Sequence, residues 1–376
     1  MRKNLFVRSI AAVSGIVMLA SLAACGDNTS SAGNNSGSTS TEKITGSFSG
    51  AGATSQQAAE EAWISAYMAA NSGANVTYNP TGSGAGVTTF LSGAAAWAGS
   101  DKALSDDEVT QSSDKACANG TTAFDVPVYI SPIAIIFNLK GVSDAGKHIN
   151  LDADTAAKIF DGKIVKWNDP AIANQNKDLT LPDTQITVVH RSDKSGTTQN
   201  FVSYFKDQAP DSWTHELSEN WPDIPGQQSA KGTSGVVTAV KQADGTIGYA
   251  DFSQVGDLGT AAIKVGENYN EISADAGSKV IEDSEIDTSV KGDNRVVVKI
   301  NHATEAKGAY PIVLVSYDIA CPAYKDASTA KFVKSWLTYV TSDEGQKTAS
   351  SAAGSAPLPS NIVEKVTKSI EAIKTK

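Results

Sequence analysis

Four short segments of this chain set glycine beside serine or threonine where a strand-like stretch gives way to a helix-like one. They are Gly50-Ala-Gly-Ala-Thr54-Ser55, Thr81-Gly-Ser83-Gly-Ala-Gly-Val87, Ala98-Gly-Ser-Asp101, and Arg191-Ser-Asp193-Lys194-Ser195-Gly196-Thr197-Thr198. The chemistry such joins offer is anion binding. The first N–H groups of a helix have no internal acceptor, and the helix dipole is positive there. Glycine lets backbone approach a ligand, and the hydroxyls add donors. Each join taken alone also fits a serine or threonine that merely caps its helix. With four in one chain, one bearing Arg191 and another Asp101, the two readings stand level. Gly82-x-Gly84-x-Gly86 is a weak dinucleotide signal, since the later acidic residue of a βαβ unit is missing. Lys194-Ser195 lacks the upstream glycine of a P-loop.

Strand and helix patterns alternate, which points to an α/β architecture. Strands are expected over Ile44–Ser49, Val126–Asn138, Gln185–His190, Thr246–Tyr249, Arg295–Ile300 and Tyr310–Ser316. Helices are expected over Ser55–Ala70 and Ser328–Val340, with a third opening at Ser195 and carrying Phe201, Tyr204 and Phe205 on one side. The apolar runs Val126–Asn138 and Tyr310–Tyr317 are long for single strands, and each contains proline. They fit strands that pass from one lobe to another, or two ordinary core strands.

These segments resemble the phosphate-binding proteins of bacterial phosphate ABC transporters. The matching stretches are GAGAT, GSGAG, GSDKALSDDE, GKIVKWNDPAI, VVHRSDKSGTTQNF, GTIGYADF, AYPIVLVSY and APLPSNIVE, spanning about residues 44 to 365. The resemblance implies an α/β, two-lobed periplasmic-binding-protein fold of type II, with a ligand cleft between lobes joined by two connecting strands. One lobe would comprise residues 44–130 plus 311–376 and the other 131–310. It also implies an inorganic phosphate site made of Thr54, Ser55, Ser83, Asp101, Arg191, Ser195, Gly196 and Thr197, with Asp193 pairing Arg191 from behind. The family usually has phenylalanine where this chain has Ser55, so only the Ser55 backbone is expected to matter. It usually has glycine where this chain has Lys194, which adds a cation beside the site. The implied partners are an ABC permease with its cytoplasmic ATPase, and the implied state is a monomer.

The residue types suit that ligand. Arg191 presents a planar fork of donors to two phosphate oxygens. Asp101, when ionised, can only accept. It accepts the O–H of a protonated phosphate, whereas sulfate at neutral pH has no proton to offer. A buried mismatch of that kind costs several kcal/mol, roughly a thousandfold in affinity.

The ends of the chain and its charge bound the remainder. Arg2, Lys3 and Arg8 precede an uncharged run, Ile10–Ala20, that is too short to span a bilayer and fits an export signal over residues 1–24. The run closes in Leu22-Ala23-Ala24-Cys25, which looks like a lipobox with Cys25 as the acylated first mature residue. Residues 25–43 then read as a flexible Ser/Gly/Asn tether to the outer face of the membrane. Cleavage there removes three positive charges and takes the net charge from −10 to −13. This acidity excludes a general nucleic-acid binder and a polybasic membrane-surface protein. By itself it also suggests repulsion of anions. Cys117 and Cys321 remain as a pair that in an exported protein forms a disulfide or stays as two buried thiols. His148, His190, His215 and His302 form no metal or nucleophile motif, and no cofactor or metal is expected. A phosphate-ester hydrolase and a phosphate sensor or adhesin without transport stay open as alternatives.

Overall fold

The computed structural model describes residues 43–143 and 147–376; the leader, Cys25 and most of the tether lie outside the described residues. The strands are β1 (Thr45–Gly52), β2 (Gly73–Pro80), β3 (Trp97–Ser100), β4 (Phe124–Asn138), β5 (Ile149–Leu151), β6 (Thr187–Arg191) and β7 (Gln228–Ala230), followed by β8 (Thr246–Asp251), β9 (Gly259–Val265), β10 (Asn268–Asn270), β11 (Glu285–Ile286), β12 (Val298–Lys299) and β13 (Val313–Ala320). The main sheet runs β2-β1-β3-β13-β4-β8-β6-β7, with β9 on β4 and β5 and β10 on β9.

Two parallel triplets carry the functional segments. β1 pairs in parallel with β2 and with β3. β6 pairs in parallel with β7 and with β8. The antiparallel strands β13 and β4 join the triplets. β4 is the long apolar run, and it changes partner along its length: Phe124–Pro132 lies on β13, and Ile133–Asn138 lies on β8. Proline is admitted at this change because ladder donors are not needed at every position there. The second apolar run begins as a connection, with the Ile133 N–H donating to the Ile312 carbonyl, and becomes β13 at Val313. The architecture is α/β, two parallel triplets joined through two antiparallel strands, in keeping with the fold that the resemblance implies.

Each triplet is covered by helices whose apolar faces carry aromatic residues. Phe48 and Phe332 stack at 4.1 Å, and Trp97 meets Trp336 at 5.3 Å. On the other side Phe160, Phe201, Trp221 and Tyr249 pack together, with Phe201 on Tyr249 at 4.4 Å. Helix Ser328–Val340 is observed as Ala327–Val340, and the helix opening at Ser195 is Gly196–Gln208. The strand expected over Arg295–Ile300 shrinks to the two residues of β12. Before it, Arg295 turns inward and binds Asp125 with Nε at 2.8 Å and Nη2 at 2.9 Å, so a buried ion pair holds the start of the segment and a short ladder with β11 its end.

Cys117 and Cys321 are bonded, with Cα atoms 5.3 Å apart and 204 residues between them in sequence. Closing so long a loop restricts the unfolded chain strongly. Reduction, or Cys321→Ser, is expected to lower the melting midpoint by about 5 °C; an unchanged midpoint after complete reduction contradicts this.

A buried acidic pair lies between the first helix, Gln57–Ala70, and β13. Glu60 Oε1 accepts from the Trp97 indole and Asp318 Oδ2 from the Trp336 indole, each at 3.3 Å. Burial pushes the Asp318 carboxyl up to about 7, and burial together with the Asp318 charge pushes Glu60 well above its usual range. A folded-state value raised this way stabilises the fold fully below the unfolded value of about 3.9 and loses that contribution as pH rises towards about 7. Asp318→Asn is therefore expected to gain thermal stability over the wild type progressively between about pH 4 and pH 7, and to level off above. Melting curves across that range check it, and a gap independent of pH contradicts it.

Candidate functional site

Parallel strands present their carboxyl ends on one edge, where loops have helix N-termini to offer. The ends of β1, β2 and β3 lead to Thr54 and Ser55, to Ser83, and to Asp101; the ends of β6, β7 and β8 lead to Ser195, to Gly232 and Thr233, and to Gln254. Side-chain contacts bring these two groups of loops together. Thr54 Oγ1 lies 2.9 Å from Thr233 Oγ1 and accepts from the Thr233 N–H at 3.1 Å. Gln254 Nε2 donates to the Thr54 carbonyl at 2.8 Å. Asn200 Nδ2 donates to the Asp101 carbonyl at 2.6 Å, and Lys102 faces Glu219 at 3.8 Å. Thr54, Ser55, Ser83, Asp101, Arg191, Ser195 and Thr197 are all buried.

Two glycines permit the approach. A Cβ on Gly82, whose φ is +98°, would stand 2.5 Å from Asp193 Oδ2. A Cβ on Gly196 would stand 2.8 Å from the Asp101 Cβ. Gly196 opens its helix with Ser195 as cap, whose Oγ accepts from the Thr198 N–H at 3.2 Å. Helix geometry leaves the Gly196 and Thr197 N–H groups without intrahelical acceptors.

Asp101 is the centre of the hydrogen bonding. Its Oδ1 accepts from Ser55 Oγ and Ser316 Oγ, both at 2.6 Å. Its Oδ2 accepts from Thr197 Oγ1 at 2.6 Å and from Ser55 Oγ at 2.8 Å. The Ser83 hydroxyl accepts from the Asp101 N–H at 3.2 Å. Two points differ from the sequence reading. The Ser55 side chain is fully engaged on Asp101, so more than its backbone bears on the site. Asp101 also does not open a helix: the next one begins at Asp106, with Ser105 and Glu108 forming its capping box. The carboxylate reaches instead to the start of the helix Gly196–Gln208.

Arg191 is buried at the end of β6. Its Nε and Nη2 donate to the two oxygens of Asp193 at 2.8 and 2.6 Å. That commits two of the five guanidinium N–H groups and fixes the plane of the fork against Asp193. Burial opposes the charge on Asp193, but the Arg191 fork, its charge and the Gly232 N–H outweigh it and hold the carboxyl below its usual range. Lys194 lays its methylenes against Gly84, where a Cβ would meet them at 2.6 Å. Its side chain thus packs against the start of the helix Ser83–Leu91.

Thr233 was not among the sequence candidates, although its segment Ala230-Lys-Gly-Thr-Ser-Gly has the same composition as the four that were. Its helix, Gly232–Gln242, brings a fourth N-terminus to the site. Gln254 and Ser316 carried no signal, because glutamine and serine are common and their contacts lie 200 and 215 residues away. The histidines stand apart. His190 bonds the Arg191 carbonyl and stacks on Trp221, with burial keeping its ring below its usual range. His148 meets Thr260, His215 meets Asp161 and His302 meets the Pro311 carbonyl. Among the described residues no group of three or more His, Cys, Asp or Glu is arranged to hold a metal ion.

The model of the PBP superfamily domain matches residues 37–344. The phosphate-binding protein PstS2 of Mycobacterium bovis is 36% identical over 98% of this chain and 99% of its own length. The phosphate-binding protein PstS of Xylella fastidiosa is 32% identical over 85% of this chain and 83% of its own. Among solved structures, a periplasmic phosphate-binding protein bound with phosphate superposes with a TM-score of 0.68 at 23% identity, covering 87% of this chain and 93% of that one. A phosphate-binding protein of Stenotrophomonas maltophilia superposes with a TM-score of 0.63 at 20% identity, covering 86% and 94%. These structures share the fold. The extent of the sequence matches, taken with the two parallel triplets and their converging loops, places the chain in the phosphate-binding-protein family of the PBP superfamily.

Proposed function

We propose that this protein captures inorganic phosphate outside the cytoplasm, in the cleft between two lobes, and delivers it to an ABC-type permease. The observation that carries this reading is the buried meeting of Asp101 with the start of the helix Gly196–Gln208, beside the Arg191–Asp193 pair. The ion is held by the Thr54 hydroxyl and N–H, the Ser55 N–H, the Ser83 hydroxyl, the free N–H groups of Arg191, and the donors of Ser195, Gly196 and Thr197. Asp193 keeps the Arg191 fork in place. Ser55 and Thr197 each have one hydroxyl proton, now on Asp101, so a bound ion competes with the carboxylate for them. Asp101 then accepts the ligand's own O–H.

The lobes are residues 44–130 with 311–376, and 131–310. The partner change of β4 between Pro132 and Ile133 supports a hinge there. The contacts of Thr54 with Thr233 and of Asp101 with Asn200 close the cleft. Opening and closing about two strands is a hinge motion of the sort that binding proteins use. The protein acts as a monomer and as a binding protein rather than an enzyme, a reading supported by relatives that are named as phosphate-binding proteins. It is tethered through acylated Cys25.

Calorimetry on the mature chain tests the reading. Phosphate is expected to bind tightly, and Arg191→Ala to weaken it at least a hundredfold, since a charge-assisted fork is lost. A wild type without measurable phosphate binding, or an Arg191→Ala variant with unchanged affinity, contradicts it. Mass spectrometry of the membrane fraction tests the anchor: the mature N-terminus is expected to be lipidated Cys25, and Cys25→Ser to release the protein. An unmodified N-terminus elsewhere contradicts the lipobox.

A further inference from the structure

Of the three hydroxyls on Asp101, that of Ser55 comes from the loop after β1 and that of Thr197 from the first turn of the helix Gly196–Gln208. The third, Ser316, lies on β13 and is fully buried. Its own surroundings give it a direction. Gln56 Nε2 lies 2.7 Å from Ser316 Oγ and 3.3 Å from the Tyr317 carbonyl. The carbonyl can only accept, so the NH2 group of Gln56 faces both. The Gln56 N–H therefore fills a lone pair of Ser316 Oγ, and the single Ser316 proton points to Asp101 Oδ1 at 2.6 Å. The Tyr78 hydroxyl stands by the other face of the amide, 3.5 Å from Gln56 Oε1, and donates to the Ala53 carbonyl at 3.0 Å. Space for this arrangement exists because position 99 is glycine. A Cβ there would lie 2.1 Å from Gln56 Oε1 and 2.4 Å from the Tyr78 oxygen.

We propose that Gln56 and Ser316 are positioning residues that set ligand specificity, by fixing a proton donor on Asp101 Oδ1 and so committing this carboxylate to accept rather than donate. The inference rests on the reading that Asp101 meets the ligand. Neither residue needs to touch the ion. A carboxylate already supplied with a directed donor at Oδ1 has no use for a proton of its own, so the ligand must bring one. Ser55 also donates to Oδ1 at 2.6 Å, but its single proton is one that a bound ion draws away. Once it has turned to the ion, loss of the Ser316 donor leaves Oδ1 bare, and Asp101 can then offer a proton to an unprotonated tetrahedral oxyanion such as sulfate. Gln56 makes the arrangement one-way: replaced by an acceptor, it would draw the Ser316 proton away from Asp101.

The experiment is calorimetric titration of the mature chain with inorganic phosphate and with sulfate, for the wild type, Ser316→Ala, Ser316→Thr and Gln56→Glu. The phosphate-over-sulfate ratio is expected to fall roughly tenfold in Ser316→Ala and Gln56→Glu, the scale of one charge-assisted hydrogen bond. Ser316→Thr keeps the hydroxyl and is expected to keep the ratio. A merely structural role lowers both affinities together and leaves the ratio intact, and that result overturns the inference while the Asp101 reading stands. A wild type that binds sulfate as readily as phosphate overturns the Asp101 reading, and this inference with it. Should Ser316→Ala fail to fold, the ratio in Gln56→Glu decides.

Discussion

A carboxylate buried with hydroxyls on both oxygens is the constraint around which the site is arranged. Asp101 has given up water, and an ionised group can be buried only if its lone pairs are met by donors. Ser55, Thr197 and Ser316 meet them. These three residues come from the loop after β1, the helix after β6, and β13. Satisfying one carboxylate therefore pins three distant parts of the chain to one point. The same demand accounts for glycine at position 196, where any side chain would strike Asp101, while the serine at position 55 adds one more donor to those of Ser316 and Thr197.

The electrostatics of the site follow from the topology rather than from the composition. The chain carries a formal charge of −10, which argues against an anionic ligand if read as a far field. Salt screens that field within about 10 Å. At the cleft the local sources are four helix N-termini and the Arg191 guanidinium, all delivered by strand ends of the two parallel triplets. Asp193, kept ionised by Arg191, holds the guanidinium and also receives the Gly232 N–H at 3.0 Å, so one carboxylate ties the arginine to a helix start. Asp251, at the end of β8, shows the reverse case. Burial pushes its carboxyl up to about 7, and its Oδ1 is met by Tyr129 and Ser253 instead of a cation.

Much of this was legible in the sequence, and the boundary of what was legible has a physical origin. The Gly–Ser/Thr joins announced themselves because close backbone approach and helix-start donors demand a narrow set of residue types within a few positions. The pairing of Arg191 with Asp193 is equally local. The long run Val126–Asn138 could be read as a connecting strand from its length and prolines, and it is the strand that changes partner. Contacts made across the fold left no such mark. Ser316 and Gln254 look like any buried serine and surface glutamine until the strands bring them to Asp101 and Thr54. The contribution of the Ser55 side chain was hidden for the same reason, since its partner lies 46 residues away. The strand expected at Arg295–Ile300 forms a ladder only at Val298–Lys299, while Arg295 is taken up by its buried pairing with Asp125, 170 residues away and equally unmarked in the sequence.

The central claim is that Asp101 is the acceptor for a ligand proton. The most direct measurement is an atomic-resolution crystal structure of the phosphate complex. The account predicts one Asp101 oxygen about 2.6 Å from a phosphate oxygen, the Ser316 hydroxyl still on Oδ1, and the Ser55 or Thr197 hydroxyl turned towards the ion. A complex in which Asp101 keeps all three hydroxyls and makes no contact with phosphate would contradict it.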